Sequence, residues 1–473
     1  MPNITRYCRM LPNLTKQRTR YFLTLNPYFS NIIGIMILTG TEIRQKFIDY
    51  YKALDHVEIP ASPLVLKDDP TTLFTGSGMQ QIVPYLLGQP HLAGKRLVDV
   101  QRCLRAEDLE EIGDAWHHTF FEMLGVWSLG DYFKAEQIPW TFGFFVDELG
   151  IDPHKLYVTA LAGGNGLPRD EETVSIWKEV YGKYGITAEA TDDIHKVGEG
   201  NYRIFSYPWI VGKSWWERSC APVGDPAGPT TEIFFHTGND HNKKFGEKCH
   251  VNCDCGRYVE IGNNVFMQYK KVSETEYEPL TQKNVDVGWG FERLVRVVQG
   301  KKTNYETDLF YPIIQKIESM STKKYGEDEK TDWVYRIDAD HMRAAVFLIA
   351  DGVVPSNKMQ GYVLRRLLRR VIFQSQKLTS HKNFLAEVAK VIINEYGGYY
   401  THLHKSSDKI LEGISAEEEK FNRTLDKGLR EMEKMYEKNG QKLREVDLEM
   451  LYQSYGVPKE LATEIAKERN WQV

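Results

Sequence analysis

Residues 101–133 read QRCLRAEDLEEIGDAWHHTFFEMLGVWSLGDYF, two apolar and aromatic runs separated by a polar, acidic segment. This pattern predicts a long β-hairpin with a hydrophilic loop. Arg105 ends the first predicted strand, and Phe121 lies early in the second. Because arginine binds phosphate bidentately and phenylalanine stacks on a purine, the pair suits a ligand that carries both groups. The alternative is an ordinary surface hairpin with a solvated arginine.

The composition is that of a globular protein. The chain has 473 residues, enough for two or three domains with a substantial core. Its net charge of −5 excludes a general polyanion binder, so any nucleic-acid site must be a local basic patch. No apolar run reaches the ~18 residues that a membrane span needs. Six cysteines in so long a chain do not indicate a disulfide scaffold.

The N-terminal segment, residues 1–39, differs from the rest because it contains five Lys or Arg and no Asp or Glu. We interpret it as a basic leader, with Met36 as an alternative start of translation. A transit peptide is the other interpretation, although three prolines interrupt any amphipathic helix there. The fold is expected to begin at Thr39, which forms a capping box with Glu42.

A cysteine cluster lies between two predicted strands and reads CHVNCDC from Cys249 to Cys255, with Cys253 between them. Three thiolates so close together can bind zinc, and the fourth ligand would be His250 or a distant residue. The alternative is three reduced thiols in a loop, since the spacing is not the usual paired C-x-x-C.

A glycine-rich segment follows later in the chain, in residues 284–298, NVDVGWGFERLVRVV. A strand is predicted to end at Asp286, and Gly288 and Gly290 are predicted to form a turn before a helix. The glycines would let backbone approach a ligand, and a helix N-terminus favours anions. Arg293, in the first turn of that helix, could point into the same pocket as Arg105.

Seven segments, taken in order, resemble alanyl-tRNA synthetases, which are class II aminoacyl-tRNA synthetases. They are HHTFFEMLG, LGDYFK, GPTTEIF, VFMQY, VDVGWGFER, FLIADGVVPSN and GYVLRRLLRR. The resemblance implies an α+β fold, an antiparallel β-sheet catalytic domain flanked by helices at residues 40–300. An all-α tRNA-recognition domain would follow at 301–473. Residues 1–39 would be a non-homologous leader before the catalytic domain.

The resemblance implies an alanine–tRNA ligase, which uses ATP and Mg²⁺ to form alanyl-adenylate from L-alanine and then charges tRNA(Ala). Arg105 and Arg293 would be the catalytic residues. The implied ATP site comprises Arg105, His117, Phe121, Glu122, Gly290 and Arg293. The implied alanine site comprises Asp286, Gly288, Trp216 and Val265. Glu232 and Asn263 are the candidate Mg²⁺ ligands.

Recognition of tRNA is expected on the basic helical segment, because residues 357–377 carry six Lys or Arg and no acid. The alternative is a solvated or salt-bridged helix face. The implied tRNA-binding residues are Asn357, Arg365, Arg366, Arg369, Arg370 and Gln453.

The sequence also departs from the family pattern. Gly262 replaces a tryptophan, which predicts a looser pocket floor, and Gln453 replaces an aspartate. The chain stops at Val473, where the family continues into an editing domain. Either this chain does not proofread in cis, in which case a trans-acting editing protein would be a partner, or the sequence is a fragment. We expect a cytoplasmic enzyme with no membrane contact.

Two rival interpretations remain at this stage. One is a synthetase-like paralogue that acts as a tRNA-binding or regulatory module, and the other is a zinc protein built on the cysteine cluster. A P-loop kinase is excluded because the GxxxxGK[ST] pattern is absent from the sequence.

Overall fold

A mixed, mainly antiparallel β-sheet forms the frame of the protein in the computed structural model, which describes residues 37–66, 72–218 and 222–473. The leader prediction falls on residues outside these ranges, apart from 37–39. In chain order the strands are β1 Val57–Glu58, β2 Arg96–Leu104, β3 Phe120–Leu129, β4 Leu156–Leu161, β5 Glu189–Thr191, β6 Tyr202–Tyr207, β7 Trp215–Trp216, β8 Pro226–His236, β9 Tyr258–Lys271 and β10 Tyr277–Gly290. Their order across the sheet is β1-β2-β3-β10-β9-β8-β4-β6-β5, and β7 pairs with β8.

The predicted hairpin is confirmed. Strands β2 and β3 pair antiparallel, with Cys103 opposite Phe121 and Leu97 opposite Trp127. β10 then pairs with β3 and places Asp286 beside Trp127. Because side chains alternate along a strand, Asp286, Gly288 and Gly290 share one face of the sheet.

Helices cover the sheet and form the C-terminal part of the chain. They are α1 Gly40–Lys52, α2 Val83–Leu86, α3 Lys134–Gly143, α4 Glu171–Lys183, α5 Phe291–Val298, α6 Tyr311–Met320, α7 Glu329–Ala350, α8 Met359–Ser375, α9 Phe384–Gly397, α10 His402–Lys405, α11 Ser407–Lys438, α12 Glu445–Met450 and α13 Lys459–Glu468. The predicted capping box starts α1, since the Thr39 hydroxyl accepts from the Glu42 N–H and the Glu42 carboxylate accepts from the Thr39 N–H. The mixed α+β class with a largely antiparallel sheet is therefore as expected.

Helix α7 is fixed to the hairpin by buried charges. Asp340 accepts hydrogen bonds from the backbone N–H of Thr119 at 3.1 Å and from His118 at 3.1 Å. Just beyond α7, Asp351 pairs with Arg102 of β2 at 2.9 Å. Sheet and helices from Leu38 onward thus form one compact unit, with the change from strand to helix near residue 300.

One local prediction needs correction. Strand β10 continues through Gly288 to Gly290, and neither glycine adopts a left-handed backbone, so the predicted turn is regular strand. Hydrogen bonding to β3 up to Gly290 explains this extension. Helix α7 begins at Glu329, where the Asp328 side chain caps its N-terminus. None of the described helices is long and apolar enough to cross a membrane.

Candidate active site

A cavity of about 320 Å³ opens where β2, β3 and β10 meet the N-terminus of α5. Both predicted arginines, Arg105 and Arg293, line it although they are far apart in sequence. The full lining is Arg105, Glu111, Trp116, His117, His118, Phe121, Met123, Glu260, Gly288, Gly290, Glu292 and Arg293. Five of the six predicted ATP-site residues therefore converge on one space.

Arg105 is held at the end of the first hairpin strand by the loop that precedes β2. Its Nε donates to the Gly76 carbonyl at 3.1 Å, and its guanidinium lies 5.0 Å from the centre of the Phe121 ring. The side chain is exposed, so the guanidinium can reach a ligand in the cavity. A phosphate and a planar base fit such an arrangement of cation and ring.

Arg293 reaches the cavity from the first turn of α5. Its Nη1 lies 3.5 Å from a carboxylate oxygen of Glu260 on β9. Because the pair is partly exposed, water and ions screen it, and an incoming phosphate can compete for the guanidinium. The helix N-terminus adds favourable N–H dipoles for an anion.

His117 is oriented by two acids. Its Nδ1 lies 2.6 Å from Asp114 and its Nε2 lies 3.2 Å from Glu111. Burial lowers the pKa of His117, but the hydrogen bond and charge of Asp114 outweigh it, so the net pKa is raised. The two acids thus shift His117 toward its imidazolium form, which suits contact with a phosphate.

The structure contradicts the ATP-binding role predicted for Glu122. Its carboxylate is fully buried and forms a bidentate pair with Arg44 at 2.5 and 2.6 Å. The Tyr400 hydroxyl also donates to it at 2.8 Å. Because Glu122 follows Phe121 on a strand, its side chain points to the opposite face of the sheet. It therefore ties the hairpin to α1 and does not line the cavity.

The predicted alanine-site residues lie on or against the same sheet, beside the cavity that Arg105 lines. Asp286 on β10 pairs in register with Val265 on β9, and Trp216 packs against the apolar cluster that contains Val265. Gly288 lines the cavity and so connects it with this region. A Cβ added at Gly288 would lie 2.9 Å from the Met123 sulfur, so a larger residue would not fit without a shift of Met123. All four residues fall in one neighbourhood.

Asp286 is buried and accepts a hydrogen bond from Trp127 Nε1 at 2.7 Å. Burial raises its pKa to about 7, against the opposing effect of the tryptophan hydrogen bond. An α-ammonium group would supply the counter-charge that this carboxylate lacks, which is the binding role predicted for it.

Sequence reasoning missed a second buried acid beside Asp286. Asp99 on β2 accepts from Gln81 at 2.9 Å, and its other oxygen has no hydrogen-bond partner among the described residues. Burial raises the pKa of Asp99 well above its ordinary value, with the charge of Asp286 adding to the effect. The only sequence signal for Asp99 was an acidic residue within a mainly apolar strand. Its proximity to Asp286 could not be read from the sequence, because the two residues are far apart in the chain.

The candidate Mg²⁺ ligands, Glu232 and Asn263, are cross-strand partners on β8 and β9. Asn263 in turn pairs in register with Gly288. The Oδ1 atom of Asn263 is buried without a hydrogen-bond partner in the described part of the chain, so an oxygen ligand is available. Burial and the nearby Glu260 raise the Glu232 pKa, against the opposing charge of Lys213. Oxygen donors of this kind fit Mg²⁺.

The expectation of a loose pocket floor at Gly262 is wrong. Gly262 points to the face opposite Asn263, and a Cβ there would lie 2.8 Å from Cδ1 of Trp289. Trp289 is fully buried and donates to Asn264 at 3.2 Å. The Trp289 indole thus fills the space beside Gly262, on the side of the sheet away from the cavity.

The predicted basic face of α8 is also not a solvent-exposed surface. Arg365 and Arg369 both pair with Glu417 of α11, at 3.2 Å for Arg365 and 2.7 Å for Arg369, and both arginines are buried. Arg370 is buried and pairs with Glu464 at 2.8 Å. Arg366, which is partly exposed, pairs with Glu110 and Glu460. The exposed tRNA-phosphate patch expected for these four arginines is corrected to a salt-bridged helix interface, because glutamates on neighbouring elements neutralise them.

Two of the six predicted tRNA-contacting residues are exposed. Asn357 lies in the exposed turn before α8, where its side-chain oxygen accepts from Arg365. Gln453 is exposed after α12 and donates to Glu449 at 2.6 Å. Their amide groups can read a base edge, and this role stays a prediction.

The three cysteines of the predicted zinc cluster come together with a histidine. Cys249, Cys253, Cys255 and His241 place their ligand atoms within 4.8 Å of one another. His250, the neighbour in sequence, instead places Nδ1 3.1 Å from the Tyr207 hydroxyl. The spacing alone did not indicate His241, because it lies eight residues before the first cysteine.

An antiparallel sheet that brings a strand-end arginine and a helix-start arginine to one cavity is the arrangement expected of a class II aminoacyl-tRNA synthetase catalytic domain. The comparisons identify the family within this class. The chain belongs to the family described as tRNA synthetases class II (A), which it matches over residues 42–473.

Its curated relatives carry the name alanine–tRNA ligase. The protein from Treponema denticola is 46% identical over 91% of this chain and 69% of its own length. That from Borrelia hermsii is 42% identical over 91% of this chain and 70% of its own length. The apo histidyl-tRNA synthetase from S. aureus aligns with 56% of this chain and 68% of its own, at 11% identity and a TM-score of 0.34. At that TM-score the family assignment rests on the sequence matches.

Proposed function

We propose that this protein is an alanine–tRNA ligase, which activates L-alanine with ATP and transfers it to tRNA(Ala). The convergence of Arg105, Phe121 and Arg293 on one cavity is the observation that carries the proposal. The catalytic groups are all present, and this argues against a paralogue that only binds tRNA. ATP, alanine and tRNA meet in the cytoplasm, where we place the reaction.

In the first step, an alanine carboxylate oxygen attacks the α-phosphorus of ATP, and pyrophosphate leaves. Arg105 binds the α-phosphate and stabilises the charge that develops on its oxygens. Phe121 stacks beneath adenine, and Arg293 contacts the other face and the outer phosphates. Such chemistry depends on positioning and charge, since no protein nucleophile is required.

Asp286 pairs with the alanine ammonium group, and its burial strengthens that contact. Val265 and Trp216 limit the side-chain space. Glu232 and Asn263 would hold Mg²⁺, which would neutralise phosphate charge. In the second step, the terminal tRNA hydroxyl attacks the adenylate carbonyl, and AMP leaves. Asn357 and Gln453, which are exposed, contact the acceptor stem.

Discrimination at such a pocket is limited by size. A methyl-sized pocket cannot strongly reject glycine, and serine differs from alanine by one hydroxyl. Alanyl-tRNA of adequate purity then needs hydrolytic proofreading at another site, and a trans-acting editing protein is one source of it.

The test is ATP–pyrophosphate exchange with alanine, serine and glycine in parallel. Alanine-dependent exchange that depends on Arg105 and Asp286 is expected, with weaker exchange for serine and glycine. A folded protein that binds tRNA but shows no exchange with alanine would contradict the proposal and favour the regulatory paralogue.

A further inference from the structure

We infer that His241, Cys249, Cys253 and Cys255 form a closed, four-ligand zinc centre in the loop between β8 and β9. The group is the one His/Cys/Asp/Glu cluster of this density within residues 37–66, 72–218 and 222–473. Three sulfurs and one imidazole nitrogen are a common donor set of structural zinc sites. Thiolate ligands favour zinc over the hard cations that carboxylates bind.

The distance between two of the sulfurs fits a metal better than a disulfide. Cys249 Sγ and Cys255 Sγ are 3.7 Å apart. Two thiolates bound at ~2.3 Å on a tetrahedral ion are separated by about 3.8 Å. A disulfide would require about 2.05 Å between the same atoms. The loop is therefore arranged around a point between the sulfurs, which do not bond directly.

The histidine has the orientation of a metal ligand. Its Nε2 lies 2.8 Å from the Gly246 carbonyl, a contact that requires a proton on Nε2. Nδ1 then carries the free lone pair, and this atom is buried with no hydrogen-bond partner in the described ranges. A backbone carbonyl that fixes the tautomer in this way is the usual outer partner of a zinc-bound histidine.

The loop is exposed over residues 242–248, whereas Val251 packs in an apolar cluster with Cys249 and Cys253. It nevertheless forms a wall near the active site. Asn252 Nδ2 donates to Glu232 Oε2 at 2.9 Å, and a Cβ on Gly256 would lie 3.3 Å from the Trp116 ring that lines the cavity. Zinc would hold this wall in place without taking part in the reaction.

The experiment measures metal in the purified full-length chain, by elemental analysis and by the absorption spectrum after Co²⁺ replacement. We expect about one zinc per chain and the visible bands of tetrahedral cobalt with thiolate ligands. The variants C255S and H241A should lose at least tenfold in zinc affinity, whereas H250A and C103S should retain it. Circular dichroism checks that each variant is folded.

The zinc content of the unaltered chain tests the inference even where a variant fails to fold. A chain without zinc after purification in zinc-containing medium, or with a Cys249–Cys255 disulfide by mass spectrometry, would overturn it. Zinc retained in both C255S and H241A would overturn it as well. None of these measurements depends on ligase activity, so failure here is distinguishable from failure of the proposed function.

Discussion

Replacing Arg369 with methionine distinguishes two roles for this residue, a contact with tRNA phosphate and a buried ion pair that stabilises the fold. Its Nε donates to Glu417 at 2.7 Å, the Gly456 carbonyl accepts a second bond, and both charged side chains are at most 5% exposed. Removing one partner of a buried ion pair costs ~3–5 kcal/mol. The lower end, about 3 kcal/mol, is expected here, because Arg365 stays 3.2 Å from the same carboxylate.

The assay is urea unfolding followed by circular dichroism, together with tRNA binding measured as a function of salt. R369M should lower the free energy of unfolding without changing the slope of log affinity for tRNA against log salt concentration. R423A is the matched control, since Arg423 on α11 forms an exposed pair with Glu419, at 74% and 76% exposure. Its loss should cost less than about 0.5 kcal/mol.

The double variant R369M/E417L refines the interpretation. Replacing both partners of a buried pair with apolar side chains is often close to neutral, so part of the stability should return. An R369M protein of unchanged stability, but with a salt slope for tRNA binding reduced by about one, would refute the reasoning. In that case Arg369 would be a phosphate contact after all.

Three further predictions concern the active site and the sheet beneath it. Because Asp286 has a pKa of about 7 and only its carboxylate can pair with an ammonium group, KM for alanine should rise about tenfold per pH unit below 7 in exchange assays. D286N should bind alanine weakly at every pH, and a KM that stays flat in the unaltered enzyme would contradict the assignment. R105A should reduce exchange by about 10²–10³-fold or more with little change in thermal stability, since the side chain is exposed; R105K, which keeps the charge but not the fork, should recover only part. G262A should lower the free energy of unfolding by about 1–3 kcal/mol because its Cβ meets Trp289 at 2.8 Å. The same substitution should cost less when it is made in a W289M background than in the parent, and a G262A protein as stable as the parent would count against that packing.

Local patterns predicted much of the fold and of the nucleotide site. The hairpin followed from alternating apolar residues, and α1 followed from its capping box. The convergence of Arg105, Phe121 and Arg293 followed from motif order and from the resemblance to a known family. These signals are local or are shared with many relatives, so they can be recognised without knowledge of long-range contacts.

The errors share a physical cause, because each depended on partners that are distant in sequence. The acid-free helix α8 looked like a phosphate-binding face, yet Glu417 and Glu464 come from helices placed against it later in the chain. The Glu122 carboxylate looked available, yet Arg44 approaches it from α1. The role of Gly262 depended on Trp289, which fills the neighbouring space.

The buried polar contacts between α7 and the hairpin limit where this protein can be truncated. Asp340 satisfies a backbone N–H of the hairpin, and the Arg343 guanidinium bonds to the Phe120 carbonyl and pairs with Glu292 at 2.8 Å. A half-protein ending near residue 300 would leave those polar groups of the adenylate-forming sheet unpaired. We therefore expect the sheet and the C-terminal helices to unfold together, so a truncation or a chimaera joined near residue 300 should be unstable.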